Sequence, residues 1–479
     1  MLHQLFQVFA LASLAIAANP DYEGLFRPFV SPGTEIATLS EPSFANVTSP
    51  RWSTWKAPTF QAAIKPVTEA DVQAIVRIAA RNRIPFLATL NGHGNNQNYG
   101  RVQNALNINL GNFDSVVVDA TSNHLTIGGG VTFGQISEPL AKAGKEIQTG
   151  NAVCVGMVGA TIGGGIGTQQ GLHGLVLDAL VSVRLVTAKG DLVTASKSVN
   201  PDLFWAIRGA GANFGIITSA TYDVYEQTNN GEVILASFAF PASASRSVWE
   251  HVQSYDENLP APLVFMPAIR YNRTTQETLV AMAVVYFGPL AEAQPYLDKV
   301  AALNPASSSV QTVTISQLHQ TFSVGACDRG NRHNPYTLGM QKTDPDTLEE
   351  VLQEMTEFYG EHPNYQGSLA IQRYSSESMM KVPDSETSYP WRDINSYLLF
   401  DNMYSDSALD TKVDDLSRSL RDKFQASSGY GSPQTYLNYA HGDEPLTQVY
   451  GASKLPKLRT LKKQWDPDHL FGFNYPINY

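Results

Sequence analysis

The sequence predicts an α+β protein with two domains. The chain has 479 residues, about three times the roughly 150 residues of an ordinary domain. Helical and strand-like patterns alternate up to residue 230, and a hairpin pattern over residues 180–194 means that the sheet there is not wholly parallel. From residue 231, alternating apolar runs separated by helical segments indicate a second α+β domain with an antiparallel sheet.

The N-terminus predicts a cleaved export signal. Leu5–Ala18 is apolar and too short to span a bilayer, so residues 1–18 are expected to be a signal peptide and the protein to be secreted, although a buried helix is the alternative. The sequons at Asn46 and Asn272 fit a glycoprotein. Residues 19–60 are rich in Pro, Ser and Thr and are expected to form an extended lead-in.

Regular structure is predicted to begin near Pro66. Thr68 opens a capping box before a helical repeat, and an apolar strand is expected over Phe86–Leu90. We assign residues 61–230 to the first domain and 231–430 to the second. The C-terminal segment, residues 431–479, is expected to return to the first domain.

Composition excludes several classes of protein. The formal charge is −11, from 33 Lys and Arg against 44 Asp and Glu, and no basic block is available to bind a nucleic acid backbone. We expect neither nucleic acid nor a membrane as a partner. The two cysteines, Cys154 and Cys327, are too few for a four-cysteine zinc site, and no metal is predicted. Because the two cysteines are 173 positions apart in the sequence, a disulfide between them is not expected.

Glycines are concentrated in four segments, residues 92–94, 128–130, 150–167 and 209–215. Glycine lets backbone N–H groups approach a ligand closely, which a diphosphate bound without lysine or metal would require. The alternative is tight turns and close packing. The chain has no P-loop, no HExxH, no GxSxG and no strict GxGxxG motif, which disfavours the corresponding nucleotide-binding and hydrolytic chemistries.

Four segments together resemble the FAD-linked oxidases of the berberine-bridge-enzyme type, in the vanillyl-alcohol-oxidase superfamily. They are PFLATLNGHGN at residues 85–95, GNAVCVGMVGATIGGGIG at 150–167, NPDLFWAIRGAGANFGIIT at 200–218, and residues 436–471 from YLNY to WDPDHLF. The resemblance implies a two-part FAD-binding domain of the PCMH type, built from the first domain and the C-terminal segment, and a substrate domain between them.

The resemblance implies a cofactor site on two glycine-rich loops. In that family the first loop wraps the FAD diphosphate, and its histidine, here His93, is joined covalently to the flavin 8-methyl group. The matching cofactor-binding positions are Thr89, Leu90, Asn91, Gly92, Gly94, Gly150, Ala152, Gly156, Gly159, Gly163, Ile216 and Asn438.

Many relatives carry a second covalent link through a cysteine. Counted back from the glycine triplet at residues 163–165, that position is Ala152 here, and Cys154 lies two residues later. The register therefore predicts a single link through His93. A shift of two residues would place Cys154 against the flavin, and this alternative stays open.

Two residues are candidates for catalysis. Tyr439, in the Asn438-Tyr439 pair, matches the family's tyrosine beside the substrate. A phenol is a poor base unless a cation or a carboxylate lies near it, and Asp401 is the candidate partner, with Phe400 as the competing register.

The resemblance implies a secreted oxidase that acts on a hydroxyl-bearing small molecule, either an oligosaccharide or a secondary metabolite, with O2 as the electron acceptor and a monomeric chain. The alternatives are a flavin-bound cyclase or binding protein without redox turnover, and a dehydrogenase that uses another acceptor.

Overall fold

Three large β-sheets, two sheets of only two strands and flanking helices make up the described part of the chain, so the α+β class is confirmed. The computed structural model describes residues 20–479, and the signal-like segment Leu5–Ala18 lies outside the described residues. Within the described range, no helix is long and apolar enough to cross a bilayer.

The first sheet has four strands in the order β1, β2, β4, β3. The pair β1 and β2 is antiparallel, whereas β4 is parallel to both β2 and β3. The strands are β1 (Glu35–Thr38), β2 (Phe60–Lys65), β3 (Phe86–Thr89) and β4 (Ala105–Asn109), and the helices of this region are α1 (Tyr22–Phe26), α2 (Phe44–Val47) and α3 (Glu69–Arg81).

Two expectations from the sequence concern this region; one is confirmed and the other is wrong. Helix α3 begins at the predicted capping box, in which the Thr68 side chain accepts from the Asp71 amide at 3.1 Å. The predicted extended lead-in is wrong, because residues 20–60 contain α1, α2 and β1. Strand β1 forms by pairing with β2, a partner distant in sequence that no local pattern identifies.

The second sheet has five antiparallel strands in the order β5, β6, β10, β8, β9. It contains the predicted hairpin, formed by β8 and β9, and a second hairpin formed by β5 and β6. The elements of this region are β5 (Val116–Asp119), β6 (His124–Gly128), β7 (Lys145–Glu146), β8 (Leu180–Val186), β9 (Leu192–Ser196), β10 (Ile216–Asp223), β11 (Tyr225–Glu226), α4 (Phe133–Lys142), α5 (Met157–Thr161), α6 (Gln170–His173) and α7 (Pro201–Ala210).

The third sheet has seven antiparallel strands in the order β15, β12, β14, β13, β18, β19, β17. The elements from residue 232 to 427 are β12 (Glu232–Pro241), β13 (Leu263–Asn272), β14 (Glu277–Tyr286), β15 (Ser307–Thr314), β16 (Arg332–His333), β17 (Tyr336–Met340), β18 (Ser368–Arg373), β19 (Ser396–Asp401), β20 (Met403–Tyr404), α8 (Ser245–Gln253), α9 (Leu290–Ala301), α10 (Ile315–Ser323), α11 (Pro345–Glu361), α12 (Glu377–Met380) and α13 (Asp410–Ser427).

The two faces of this sheet pack against different neighbours. Along β12, Ile234 and Ala236 lie in one core with residues of α8, α11 and α13. Val233 and Leu235 lie in another core, which includes Ile166 of the glycine-rich segment. Successive strand residues point to opposite faces, so helices cover one face and the first domain covers part of the other.

The C-terminal segment packs on the first domain. It contains α14 (Leu446–Tyr450) and α15 (Leu455–Trp465), and Leu458 of α15 shares a core with Phe204 of α7. The ammonium group of Lys462 is fully buried, donates to the Asn213 carbonyl at 2.9 Å and pairs with Asp466 at 2.6 Å. These contacts join the end of the chain to the glycine-rich segment at residues 209–215.

Candidate active site

A large cavity lies between the first domain, the C-terminal segment and the third sheet. Its volume is about 700 Å³, within the range of natural ligand sites. Every site residue predicted from the sequence lines it except Gly163: the lining includes Thr89, Leu90, Asn91, Gly92, His93, Gly94, Gly150, Ala152, Gly156, Gly159, Ile216, Asp401, Asn438 and Tyr439.

The loop after β3 presents His93 to this cavity. Gly92 has φ +65°, and a Cβ on it would lie 2.2 Å from the Pro50 carbonyl oxygen. The Trp52 amide donates to the Gly92 carbonyl at 3.1 Å. Only glycine fits this conformation and this close approach. The loop is therefore held against residues 50–52, and His93 follows immediately.

The His93 imidazole is enclosed by aromatic and cationic groups. It stacks on the Trp52 ring, with the two ring centroids 5.3 Å apart. His333 stacks on the other side of Trp52, with ring centroids 3.8 Å apart. Burial, followed by the nearby charges of Arg329 and Arg51, lowers the pKa of His93 to about 3. The ring is therefore neutral at physiological pH, and its buried Nε2 has no hydrogen-bond partner among residues 20–479.

The glycine-rich segment forms the opposite wall. Gly159 lines the cavity, and a Cβ on it meets no atom within 4 Å, so only a ligand limits the space beside it. Gly163 does not line the cavity, because Asn438 packs directly on it: a Cβ there would lie 2.1 Å from Asn438 Oδ1. Gly163 is therefore required for the close approach of Asn438, whose amide nitrogen donates to the Ala160 carbonyl at 2.8 Å.

Cys154 and Cys327 form a disulfide, with Cα atoms 5.9 Å apart, and the expectation against this pairing was wrong. Although the two cysteines are 173 positions apart in the sequence, they lie close together in the fold because the end of α10 packs on the loop at residue 153. There, the Val153 amide donates to Ser323 Oγ at 2.9 Å. With its sulfur in the disulfide, Cys154 has no thiolate available for a flavin.

The hydrogen-bond partner of Tyr439 is Gln372 rather than Asp401. The Tyr439 hydroxyl donates to Gln372 Oε1 at 3.2 Å, and the Tyr374 hydroxyl donates to the same oxygen at 3.2 Å. Asp401 lies on β19 opposite Ser368, four residues along the sheet from the level of Gln372, a separation of roughly 13 Å. Burial raises the pKa of Tyr439, and no cation offsets it.

Asp401 nevertheless borders the same cavity. Its side chain is 39% exposed, and Oδ1 lies 3.9 Å from Nδ1 of His333. Phe400, the competing register, is buried in the core on the helix-covered face. Alternation along β19 therefore directs Asp401 to the cavity and Phe400 away from it.

Three important residues were not identified from the sequence: Trp52, Arg329 and Gln372. Arg329 donates to the carbonyls of Pro50 and Asn91, each at 2.9 Å, and so braces the His93 loop. The alternation of residues 368–373 could have placed Gln372 on the same face as Ala370, but no sequence signal connects it to Tyr439. Within the described residues, no group of His, Cys, Asp or Glu is arranged to hold a metal ion.

These features fit FAD. The cavity has the size for a large ligand, the open side of Gly159 allows a close approach, and the unpartnered Nε2 belongs to a neutral imidazole at the predicted attachment point. His93, Asn91 and Gly159 would hold the cofactor from opposite walls.

Comparisons with known proteins support FAD as the cofactor. Residues 60–196 match the family described as FAD binding domain, and residues 435–478 match the family described as Berberine and berberine like. The FAD-linked oxidoreductase afoF of Emericella nidulans is 45% identical over 477 residues, covering 99% of each chain. The FAD-linked oxidoreductase azaL of Aspergillus niger is 46% identical, covering 94% of this chain and 98% of the relative.

Solved structures share the fold. BBE-like 1 of Physcomitrella patens superposes with a TM-score of 0.84 at 21% identity, over 95% of this chain and 98% of the other. The xylooligosaccharide oxidase of Myceliophthora thermophila, solved with xylobiose, has a TM-score of 0.81 at 22% identity, over 95% of this chain and 98% of the other. The extent and identity of the sequence matches, together with the shared fold, show that this chain belongs to the berberine-bridge-enzyme-like family of FAD-linked oxidoreductases.

Proposed function

We propose that this enzyme is an oxidase with covalently bound FAD, which oxidises a hydroxyl-bearing small molecule and reduces O2 to H2O2. The observation that carries the proposal is the neutral, stacked imidazole of His93, which lines the cavity and keeps one buried nitrogen unpartnered. When bound, FAD would accept a hydride, which is two electrons and one proton, from the substrate's C–H bond, and the hydroxyl proton would pass to solvent.

His93 supplies the single covalent link. A neutral imidazole is a nucleophile, and the low pKa of His93 keeps it unprotonated. In forming the bond to the flavin 8-methyl carbon, His93 and the methyl group each give up one hydrogen. The two hydrogens and their electrons leave on O2 as H2O2. The disulfide at Cys154 supports one link rather than two.

Tyr439 and Gln372 orient the reacting hydroxyl. The phenol proton of Tyr439 is directed at Gln372 Oε1, so the phenol oxygen keeps lone pairs that can accept a hydrogen bond from the substrate. Burial raises the pKa of Tyr439, which opposes its ionisation. Tyr439 therefore holds the hydroxyl as a phenol, and Gln372 fixes the direction of the phenol proton.

We also propose that the protein is exported as a monomer. The signal-like segment Leu5–Ala18 and the disulfide support passage through an oxidising compartment. Asn46 of the first sequon is exposed, as a glycosylation site requires.

Anaerobic mixing with candidate alcohols and sugars tests the proposed reaction. An accepted substrate should bleach the flavin absorbance, and air should restore it with one H2O2 per flavin. A flavin that stays oxidised with every bound ligand would favour a cyclase or binding protein. A reduced flavin that air reoxidises only over hours, while an artificial acceptor reoxidises it at once, would favour a dehydrogenase.

A further inference from the structure

The cavity-facing surface of the third sheet is arranged in three levels. In the register set by Ala268 opposite Ala370, Met266 lies beside Gln372 and Arg270 beside Ser368. The next strand places Leu399 beside Ala370, and Asp401 beside Ser368. The inner level therefore contains Gln372, the middle level is apolar, and the outer level contains charge.

The inner level provides the polar groups for one reacting hydroxyl. Gln372 Oε1 accepts from both Tyr439 and Tyr374, and Asn151 Nδ2 donates to the Tyr374 hydroxyl at 2.7 Å. Within the described residues, Asn151 Oδ1 is buried without a hydrogen-bond partner, so the inner level offers a hydroxyl this acceptor beside the Tyr439 oxygen.

The middle level is apolar. Ala370 and Leu399 form its floor, and Met266 of the inner level, Phe322 and Val324 add further apolar side chains to the cavity lining. Val324 is 85% exposed despite its apolar side chain. None of these side chains can partner a hydroxyl, and leaving a polar group buried without a partner costs about 1–3 kcal/mol. A sugar carries a hydroxyl on almost every ring carbon, so it fits this floor poorly.

The outer level carries two charges that do not pair with each other. Arg270 is exposed, and its guanidinium makes no hydrogen bond or ion pair with any other described residue. Asp401 lies on the far side of Ser368, two strand spacings or roughly 10 Å away. The levels of Gln372 and Arg270 are four residues apart along the strands, which is roughly 13 Å between Cα atoms.

We propose that the substrates are hydroxylated, largely apolar ring compounds that carry an acidic group, rather than oligosaccharides, and that Arg270 selects the acidic group. This inference rests on the proposed function, because it names the substrate class of the same site. The reacting hydroxyl lies at Tyr439, the ring system covers Ala370 and Leu399, and the anionic oxygen reaches the Arg270 guanidinium. Asp401 remains available to a donor on the same substrate.

Ligand titration of the holoenzyme tests the proposal. The probes are 4-(hydroxymethyl)benzoate, 4-methylbenzyl alcohol, which lacks the carboxylate, and xylobiose, each followed anaerobically by the perturbation of the flavin absorbance and by calorimetry. We expect the benzoate to bind at least tenfold more tightly than the methyl compound, and xylobiose to bind most weakly. Arg270→Gln should reduce the tenfold ratio to about one.

Arg273→Gln is the matched control. Its guanidinium also lines the cavity mouth but already donates to the Pro363 carbonyl at 2.6 Å and to the Tyr365 carbonyl at 2.5 Å. This variant should keep the ratio near ten. The proposal would be overturned if xylobiose bound most tightly, if neither aromatic alcohol bound, or if the ratio of the affinities for the two aromatic alcohols were unchanged in Arg270→Gln.

The two proposals fail in distinguishable ways. If the affinities follow the expected order but the flavin stays oxidised with every probe, the substrate class holds and the oxidase assignment fails. If xylobiose alone binds and reduces the flavin, the oxidase assignment holds and the substrate class fails.

Discussion

His93 is the residue on which the proposed attachment of FAD depends. An unperturbed histidine has a pKa near 6.5, so much of it would be protonated, and not nucleophilic, in a mildly acidic medium. Burial and two arginines move the pKa of His93 to about 3. The same arginines hold the surrounding backbone, since Arg329 donates to the Asn91 carbonyl at 2.9 Å. Nucleophilicity and orientation thus come from the same few neighbours.

Trp52 is expected to orient His93 for attachment, because it separates the rings of His93 and His333 in one stack. Trp52→Ala should slow covalent incorporation of FAD about tenfold or more, since small misplacements are costly in bond formation. Incorporation is measured as flavin fluorescence of denatured protein after FAD is added to protein produced under riboflavin limitation.

Trp52→Phe is the matched variant, because a phenyl ring can still stack. It should incorporate FAD within about threefold of the wild-type rate. Wild-type incorporation by Trp52→Ala, or equally slow incorporation by both variants, would show that stacking does not position His93.

Tyr439 is expected to act as a phenol throughout the working pH range. Burial raises its pKa above the ordinary value of 10.0, so ionisation begins only at more alkaline pH. Any rise in kcat/KM between pH 7 and 9 should therefore be the same in the wild type and in Tyr439→Phe. A tenfold rise per pH unit in that interval, lost in Tyr439→Phe, would show instead that the ionised tyrosine is the base.

At the scale of single residues, contacts between residues far apart in the chain could not be predicted from the sequence. The loop around His93 could be predicted because its glycines and histidine are contiguous. Gln372 is 67 residues from Tyr439, and Asp401 and Gln372 are equally plausible partners until the register of β18 and β19 is known. That register depends on packing of the whole sheet.

At the level of structural elements, the disulfide joins the two walls of the site. It links the glycine-rich segment to the residues after α10, and the Val153 amide bonds to Ser323 at the same junction. Phe322 and Val324, which line the proposed substrate pocket, lie beside this connection. The substrate-domain wall is therefore fixed relative to the cofactor-binding wall.

Removing the disulfide should destabilise the protein without releasing the flavin. In the chain-entropy view, the double variant Cys154→Ser/Cys327→Ser should lose about 2–5 kcal/mol of unfolding free energy, measured in guanidinium chloride. Its denatured form should remain yellow, because the proposed link is through His93. Loss of the colour would show that Cys154 carries flavin.

Elements with local signals could be predicted, and elements that depend on partners could not. Helix α3 has a capping box and an apolar repeat, and the hairpin of β8 and β9 has a Lys189-Gly190 turn, so both were identified. Strand β1 has only four residues and no strong pattern. Its existence depends on the edge of β2.

At the scale of the whole molecule, buried histidines link stability to pH. Burial lowers the pKa of His319 to about 4 and that of His251 to about 4. Each imidazole is neutral in the folded protein, whereas in the unfolded chain it protonates below about pH 6.5. Between pH 6.5 and 4 the unfolded state therefore binds more protons than the folded state. Stability should therefore fall as pH falls from 6.5 towards 4.

The ring Nε2 of His319 lies 3.1 Å from the Thr149 hydroxyl. His319→Gln tests the pH dependence, because a glutamine amide can take the place of this nitrogen but does not titrate. Between pH 7 and 4.5 the variant should lose about 2 kcal/mol less unfolding free energy than the wild type. Parallel pH profiles for the two proteins would contradict a buried neutral His319.

The whole-molecule arrangement, in which two domains and the C-terminal segment enclose one cavity, has its central test in the attachment of FAD. Proteolysis of the denatured enzyme followed by mass spectrometry should find one peptide carrying the mass of FAD, with the bond at His93, and His93→Ala should yield no such adduct. Unmodified His93 in yellow wild-type protein, or an FAD adduct on another residue, would contradict the proposed role of this site.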